Sequence, residues 1–311
     1  MKENETEETM STWISRNNLS WYHKLCINVL KAGPIPRHVA FIMDGNRRYA
    51  TKENVATRLG HSKGFDKLSQ TLLWCQEIGI KEVTVYAFSI ENFGRSPEEV
   101  ETLMSLASDK FEKLLEEVDK LHENGLCIRI IGNLILIPEE LRARIAQAVL
   151  LTKDNDKAFL NIAFAYTSRD EITNSFQVIN DGVHAKEIDE HDISEYLINK
   201  CMYSGKSTKP DILIRTSGEV RFSDFLLWQT WNTNVIFHKV LWPDFTIWHL
   251  LACVFYYQMY YAHQTRIENE FGFEHRDDKN EKVEFFLKNL ESKRMKQLET
   301  YASYLTQNVS N

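Results

Sequence analysis

EVTVYAFSIENFGRSPEEVETLMSLASDKFEKLLEEVDKLHENGLCIRII, residues 82–131, contains one strand, one helix and a second strand in succession. The run Glu82–Phe88 is β-branched and aromatic, the composition of a strand. At Ser96 the period changes. Pro97 takes the first helical position, Glu99 stands where a capping box closes, and Gly125 stops the helix. An apolar stripe, Val100, Leu103, Met104, Ala107, Phe111, Leu114, Leu115, Val118 and Leu121, follows the helical repeat. Leu126–Ile131 is again a strand. A strand, a crossover helix and a parallel strand make a right-handed βαβ unit, so the fold class is α/β.

The pattern repeats outward. Further strands are predicted at His38–Met43, Ala158–Tyr166, Asp211–Ile214 and Asn234–Phe237. They give a single domain with a mainly parallel six-stranded sheet flanked by helices, over residues 34–262. Before it, residues 1–33 hold a polar tail (1–11) and a helix from Thr12 to Ala32 that ends at Gly33-Pro34. That helix carries Trp13, Ile14, Leu19, Trp21, Tyr22 and Leu25, and either packs on the domain or lies at a membrane surface. After it, residues 263–311 form a C-terminal helical extension: a charged loop from Glu274 to Glu281, then an amphipathic helix from Lys282 to Leu305.

The 311 residues are 43% hydrophobic and carry a net charge of −7, which excludes a chain-wide nucleic-acid footprint. Cys26, Cys75, Cys127, Cys201 and Cys253 form no CxxC pair and read as buried thiols in a reducing compartment. No secretory leader opens the sequence, and the apolar stretch from Leu250 to Ala262 is too short to span a bilayer.

In an open parallel sheet, ligands bind beyond the carboxyl ends of the strands. Polar clusters follow these strands: Asp44-Gly45-Asn46-Arg47-Arg48, then Ser89 with Glu91, Asn92 and Arg95, then Thr167-Ser168-Arg169. Arg215-Thr216-Ser217-Gly218-Glu219 and Trp242-Pro243-Asp244 complete the set. An Asp-Gly-Asn alone is a turn, and a single arginine is a solvated charge. Five clusters on one edge are neither. Six arginines (47, 48, 95, 169, 215, 221) suit phosphate oxygens, and Asp44 suits Mg²⁺ shared with those phosphates. P-loop, GxGxxG, CxxC and HExxH patterns are absent, so the residues themselves lead to a Mg²⁺-dependent diphosphate site and stop there.

HVAFIMDGNRRYA (38–50), GHSKG (60–64), YAFSIENFGRS (86–96), DILIRTSGEVRFSDFLLWQ (211–229) and VLWPDF (240–245) together resemble the cis-prenyltransferase family. The forms of the first, third and fourth blocks are most similar to its eukaryotic dehydrodolichyl diphosphate synthase branch. The trans-prenyltransferases use two DDxxD motifs, and Asp277-Asp278-Lys279-Asn280-Glu281 does not match. The resemblance implies addition of isopentenyl diphosphate in cis to farnesyl diphosphate, making a long polyprenyl diphosphate for dolichol and protein glycosylation. It implies Mg²⁺ at Asp44, and an allylic diphosphate cradled by Gly45, Asn46, Arg47, Arg48 and His61. Asn92 and Arg95 fall between the two substrates, Asn92 near the proton that is lost. Arg215, Arg221 and Ser223 hold isopentenyl diphosphate. The helix from Val100 to Leu121, with Phe164, walls a tunnel for the growing chain or simply packs the core.

The sequence departs from the family pattern in three places. Thr57 stands where the family has an arginine, with Arg58 beside it, and Asn234 stands where bacterial members have a magnesium-binding glutamate. The sequence finishes YLTQNVSN, without a terminal Arg-x-Gly. The branch it resembles takes that motif from a homologous partner related to the Nogo-B receptor, on the cytoplasmic face of the endoplasmic reticulum membrane with peripheral membrane contact. A self-sufficient homodimer is the alternative. A non-catalytic partner subunit would lack Asp44 and the RTSGE block, and a phosphatase-like binder would release phosphate without elongating prenyl chains.

Overall fold

The computed structural model describes residues 19–271 and 280–308. Chain order is α1 (Trp21–Leu30), β1 (His38–Ile42), α2 (Asn46–Lys52), α3 (Thr57–Ile78), β2 (Glu82–Ser89), α4 (Pro97–Glu116), α5 (Val118–Asn124) and β3 (Leu126–Ile131). Then follow α6 (Glu139–Thr152), β4 (Ala158–Tyr166), α7 (Ser168–His184), α8 (Glu195–Cys201), β5 (Ile212–Arg215), β6 (Asn234–Phe237), α9 (Ile247–Phe271) and α10 (Glu281–Asn308).

The six strands form one sheet in the order β3-β4-β2-β1-β5-β6, and every pairing is parallel. The central strand β1 is buried at all five positions, as a strand covered by helices on both faces must be. From β1 the chain moves outward to β2 on one side and later to β5 on the other. The crevice at the carboxyl ends of β1 and β5 is therefore the topological switch point, where such sheets bind ligands.

Four expectations change in detail. The long helix from Ser96 divides at Glu117, whose φ of −100° and ψ of 14° leave the helical region. The Ser96 side chain accepts from the Glu99 N–H, but the Glu99 carboxylate accepts from Arg95 at 2.8 Å and does not close a capping box. The fifth strand is shifted by one residue, which makes Arg215 its last member, with a buried side chain. The first helix begins at Trp21 among the described residues; Trp13, Ile14 and the polar tail lie outside them, as do most of the charged loop and Asp277 to Lys279.

Cys75, Cys127, Cys201 and Cys253 are buried free thiols, and Cys26 is half-buried. No described helix is long and apolar enough to cross a membrane. The charge-free front of α9 carries α1, with the Tyr22 and Trp248 rings stacked 6.2 Å apart and Gln258 donating to the carbonyls of Leu30 and Pro34. Helix α10 packs back on the domain, and its Val283 and Phe286 share a small core with α7 and α8.

Candidate active site

Asp44 and Arg215 meet at the switch point. Ile42 pairs with Arg215 across β1 and β5, and two residues later the Asp44 Oδ2 accepts from Arg215 Nη2 at 2.9 Å. The Asp44 N–H donates to Thr216 Oγ1 at 3.0 Å, which fixes the turn. Burial pushes the Asp44 carboxyl up. The Arg215 and Ser217 side chains beside it and the charges of Arg215 and Arg48 outweigh it and hold the carboxyl below its ordinary value.

Around this pair opens a cleft of about 710 Å³. Asp44, Gly45, Asn46, Arg47, Arg48, His61, Asn92, Arg95, Arg215, Arg221 and Ser223, all eleven residues expected at the site, line it. Its charged groups are five arginines (47, 48, 95, 215, 221) against Asp44, Glu91 and Glu219, a positive excess within an acidic chain.

Local sequence explains the placement. Gly45 turns at φ +112°, a left-handed conformation that glycine adopts freely, and a Cβ there would stand 3.1 Å from the Leu241 backbone. The two glycines of GHSKG let α3 approach α2: a Cβ at Gly60 would meet the Asn46 carbonyl oxygen at 2.5 Å, and one at Gly64 the Asn46 Oδ1 at 2.3 Å. His61 is thereby carried into the cleft. Burial first, then the charges of Arg95 and Arg47, lower its pKa to about 4 against the opposing pull of Glu99, so the ring is neutral at pH 7. On the next strand, a register shift between Tyr86 and Phe88 lets Tyr86, Ala87 and Phe88 all face the cleft.

Asn92 Oδ1 accepts from the Ser89 N–H at 3.0 Å, so its amide hydrogens are what it offers the cleft. Arg215 Nη1 donates to the Arg221 carbonyl at 2.5 Å and to Ser223 Oγ at 2.8 Å, which folds the 216–223 loop back over β5. Asn46 Oδ1, His61 Nε2, Arg215 Nε and Ser217 Oγ are buried without a hydrogen-bond partner among the described residues. Buried polar atoms are rarely left this way, and four at one edge mark a site built to receive a polar ligand.

The cleft continues into an apolar cavity of about 150 Å³ between the sheet, α3 and α4. Met43, Tyr86, Phe88 and Leu103 line both spaces, and Leu106, Ala107, Phe111 and Phe164 line the cavity alone. The wall is shorter than the sequence implied: Leu114 and Leu121 are fully buried core residues that do not line it.

Other expected participants stand elsewhere. Arg169 reaches out to Asp224 at 2.7 Å and Glu91 at 2.9 Å and does not line the cleft. Arg58 pairs with Asp109 at 3.6 Å, also outside it. Asn234 is at the amino end of β6, bonded to Gln264, at the far end of the sheet from Asp44. Ser168 and Trp242 are supports: the Ser168 N–H donates to the Asp224 carbonyl, and Trp242 Nε1 to the Gly64 carbonyl. Tyr86 and Glu219 also line the cleft, and the sequence reading gives neither a role. Glu219 stands in the polar cluster after β5, and Tyr86 opens the 86–96 block.

An edge that can grip a diphosphate and shelter a hydrocarbon tail through the same opening belongs to an enzyme of prenyl diphosphates. A family model for undecaprenyl diphosphate synthases matches residues 42–265. The human dehydrodolichyl diphosphate synthase complex subunit DHDDS is 55% identical over 248 residues, 80% of this chain and 74% of the human one. A dehydrodolichyl diphosphate synthase complex subunit of Schizosaccharomyces pombe is 42% identical over 76% of this chain and 89% of its own. The crystal structure of lavandulyl diphosphate synthase from Lavandula x intermedia, in complex with dimethylallyl diphosphate, superposes with a TM-score of 0.68 at 32% identity, covering 72% of this chain and 95% of that one. The chain belongs to the undecaprenyl diphosphate synthase family of cis-prenyltransferases and is a prenyl-transferring enzyme.

Proposed function

We propose that the chain is the catalytic subunit of a dehydrodolichyl diphosphate synthase complex, adding isopentenyl units in cis to farnesyl diphosphate for dolichol synthesis. The observation that carries this reading is the junction of an arginine-lined cleft with an apolar cavity, the two environments a prenyl diphosphate needs at once. The names of the human and fission-yeast relatives support the branch.

In this reading Gly45, Asn46, Arg47, Arg48 and His61 hold the allylic diphosphate, and Arg215, Arg221 and Ser223 hold isopentenyl diphosphate. Asp44 fits Mg²⁺: it is an ionised carboxylate open to the cleft, and Mg²⁺ ordinarily takes one or two carboxylates plus substrate phosphates. Bound there with the allylic diphosphate, Mg²⁺ supplies Lewis-acid stabilisation of the leaving group. The arginines stabilise the same departing charge. Neutral His61 can donate one hydrogen bond to a phosphate oxygen without adding charge. Asn92 and Arg95 orient the reacting ends by donation, because the Asn92 oxygen is already engaged. Holding both substrates in line contributes much of the rate. The apolar cavity takes the tail.

The catalytic domain is 34–262 with an N-terminal region (1–33) and a C-terminal extension (263–311). A homologous Nogo-B-receptor-like partner supplies the closing Arg-x-Gly. Arg294 does not serve, since its guanidinium donates to the carbonyls of Cys201 and Met202. Peripheral contact with the endoplasmic reticulum membrane, from its cytoplasmic face, suits α1, whose Trp21, Leu25 and Val29 are exposed. The test is elongation by the purified chain with and without the partner. Turnover alone should be about ten- to a hundredfold lower, the cost of one missing charge-assisted contact. Equal turnover would favour the homodimer.

A further inference from the structure

The 216–223 loop carries a carboxylate into a cleft otherwise suited to anions. Ser217 and Gly218 both have left-handed backbone, at φ +81° and +76°, and turn the chain so that Glu219 points back across the cleft. The Ser217 and Gly218 N–H groups donate to the carbonyls of Val240 and His238, which hold that turn in place. The Glu219 oxygens then divide. Oε2 accepts from Arg221 Nη1 at 2.7 Å, and Oε1 faces Arg48 Nη1 at 3.5 Å. Arg48 is tied to the same loop by donating to the Ser217 carbonyl at 3.0 Å.

We infer that Glu219 is a positioning residue that couples the two diphosphate subsites, by holding whichever arginine a diphosphate has not taken. The inference rests on the assignment of Arg48 to the allylic subsite and Arg221 to the isopentenyl subsite. With one diphosphate bound, Glu219 keeps one arginine and loses the other. With two bound, it has neither and faces two anions, so each diphosphate weakens the binding of the other. This negative coupling has a use in a repeated reaction. Chain growth leaves the elongated diphosphate beside Arg221 and requires it beside Arg48 for the next cycle. As the diphosphate crosses, Glu219 exchanges Arg48 for Arg221. One charge pair replaces another, and no arginine is left unpaired along the way.

The three side chains are partly exposed, which screens their interaction. The coupling expected is therefore at the low end of allosteric values, about three- to tenfold. Full-length chain in complex with its partner subunit would be titrated calorimetrically with isopentenyl diphosphate, in the absence and presence of saturating farnesyl thiodiphosphate, which does not ionise readily. The wild type should show the weaker affinity when the analogue is present, and raised salt should shrink the difference. Glu219→Gln should bind each ligand alone more tightly and show no coupling, and Glu219→Asp should retain part of it. Unchanged coupling in Glu219→Gln, or weaker binding of each ligand alone, would overturn the inference while leaving the proposed activity standing. A wild-type complex that binds neither ligand would instead remove the proposed function.

Discussion

The sheet has a polar cluster at each end, and the two are built differently. At the amino end, His38 bonds Thr84 Oγ1 and the Thr208 carbonyl, both at 2.7 Å. Glu82 there accepts from Asn161 Nδ2, the Thr208 N–H and Thr208 Oγ1, with Arg129 at 3.5 Å. Only Asn161 Oδ1 lacks a partner in that network among the described residues. At the carboxyl end four buried polar atoms lack one among the described residues, and five arginines line the cleft. A buried polar network that satisfies itself stabilises a fold. One that leaves donors aimed at a cleft stores its capacity for a ligand.

That contrast predicts opposite consequences of mutation. Glu82→Ala, at the closed end, takes the acceptor from Thr208 and the carboxylate from Arg129, which keeps only the Lys206 carbonyl. Stability should fall by about 3–5 kcal/mol, read by denaturant unfolding, while kcat per folded molecule is unchanged. Asp44→Asn, at the open end, keeps the shape and an acceptor for Arg215 but removes the charge. Its kcat per folded molecule should drop by roughly 10²–10³-fold, a far larger effect than the stability lost when the buried Arg215 charge gives up its partner. If the two variants exchanged behaviours, the division between ends would be wrong.

Smaller effects sharpen the division. Arg221→Ala should raise KM for isopentenyl diphosphate by about tenfold and that for farnesyl diphosphate far less, since Arg221 is exposed and contributes one charge-assisted contact. A rise confined to the allylic substrate would show that the two subsites are exchanged.

The smallest effect is in pH. Burial lowers the pKa of both His38 and His61 from 6.5, the latter to about 4. Their unfolded forms bind protons first, so the stability they contribute is complete above pH 6.5 and is lost as pH falls from there toward 4. Asp44, lowered from 3.8, contributes stability that is lost only below that value. Melting temperature should therefore decline between pH 6.5 and 4, and His61→Gln should flatten part of that slope. Diphosphate binding to wild type near pH 5 should take up protons at His61, a response the closed His38 cannot give.

Much of this was readable beforehand, for physical reasons. Strand and helix periods are local, so six strands and their order along the chain could be read directly. The carboxyl-end rule and the family resemblance together named eleven residues from positions far apart in sequence, and all of them line one cleft. What could not be read was how charges divide among themselves. Arg169 looks like the other arginines until Asp224 and Glu91 engage it, and Arg58 until Asp109 does. Glu99 had two possible partners, the helix N-terminus and Arg95, and only tertiary geometry selects the arginine. The break at Glu117 has no glycine or proline to announce it. Trp242, within a recognisable motif, turned out to brace α3 through Gly64.

The account stands on the claim that the open end holds two prenyl diphosphates and joins them. The most direct measurement incubates the full-length chain, with its partner subunit, with radiolabelled isopentenyl diphosphate, farnesyl diphosphate and Mg²⁺, and resolves the products by chain length. The prediction is a set of long polyprenyl diphosphates whose formation falls by roughly 10²–10³-fold in Asp44→Asn. Release of inorganic phosphate or diphosphate without label entering any longer chain would contradict it.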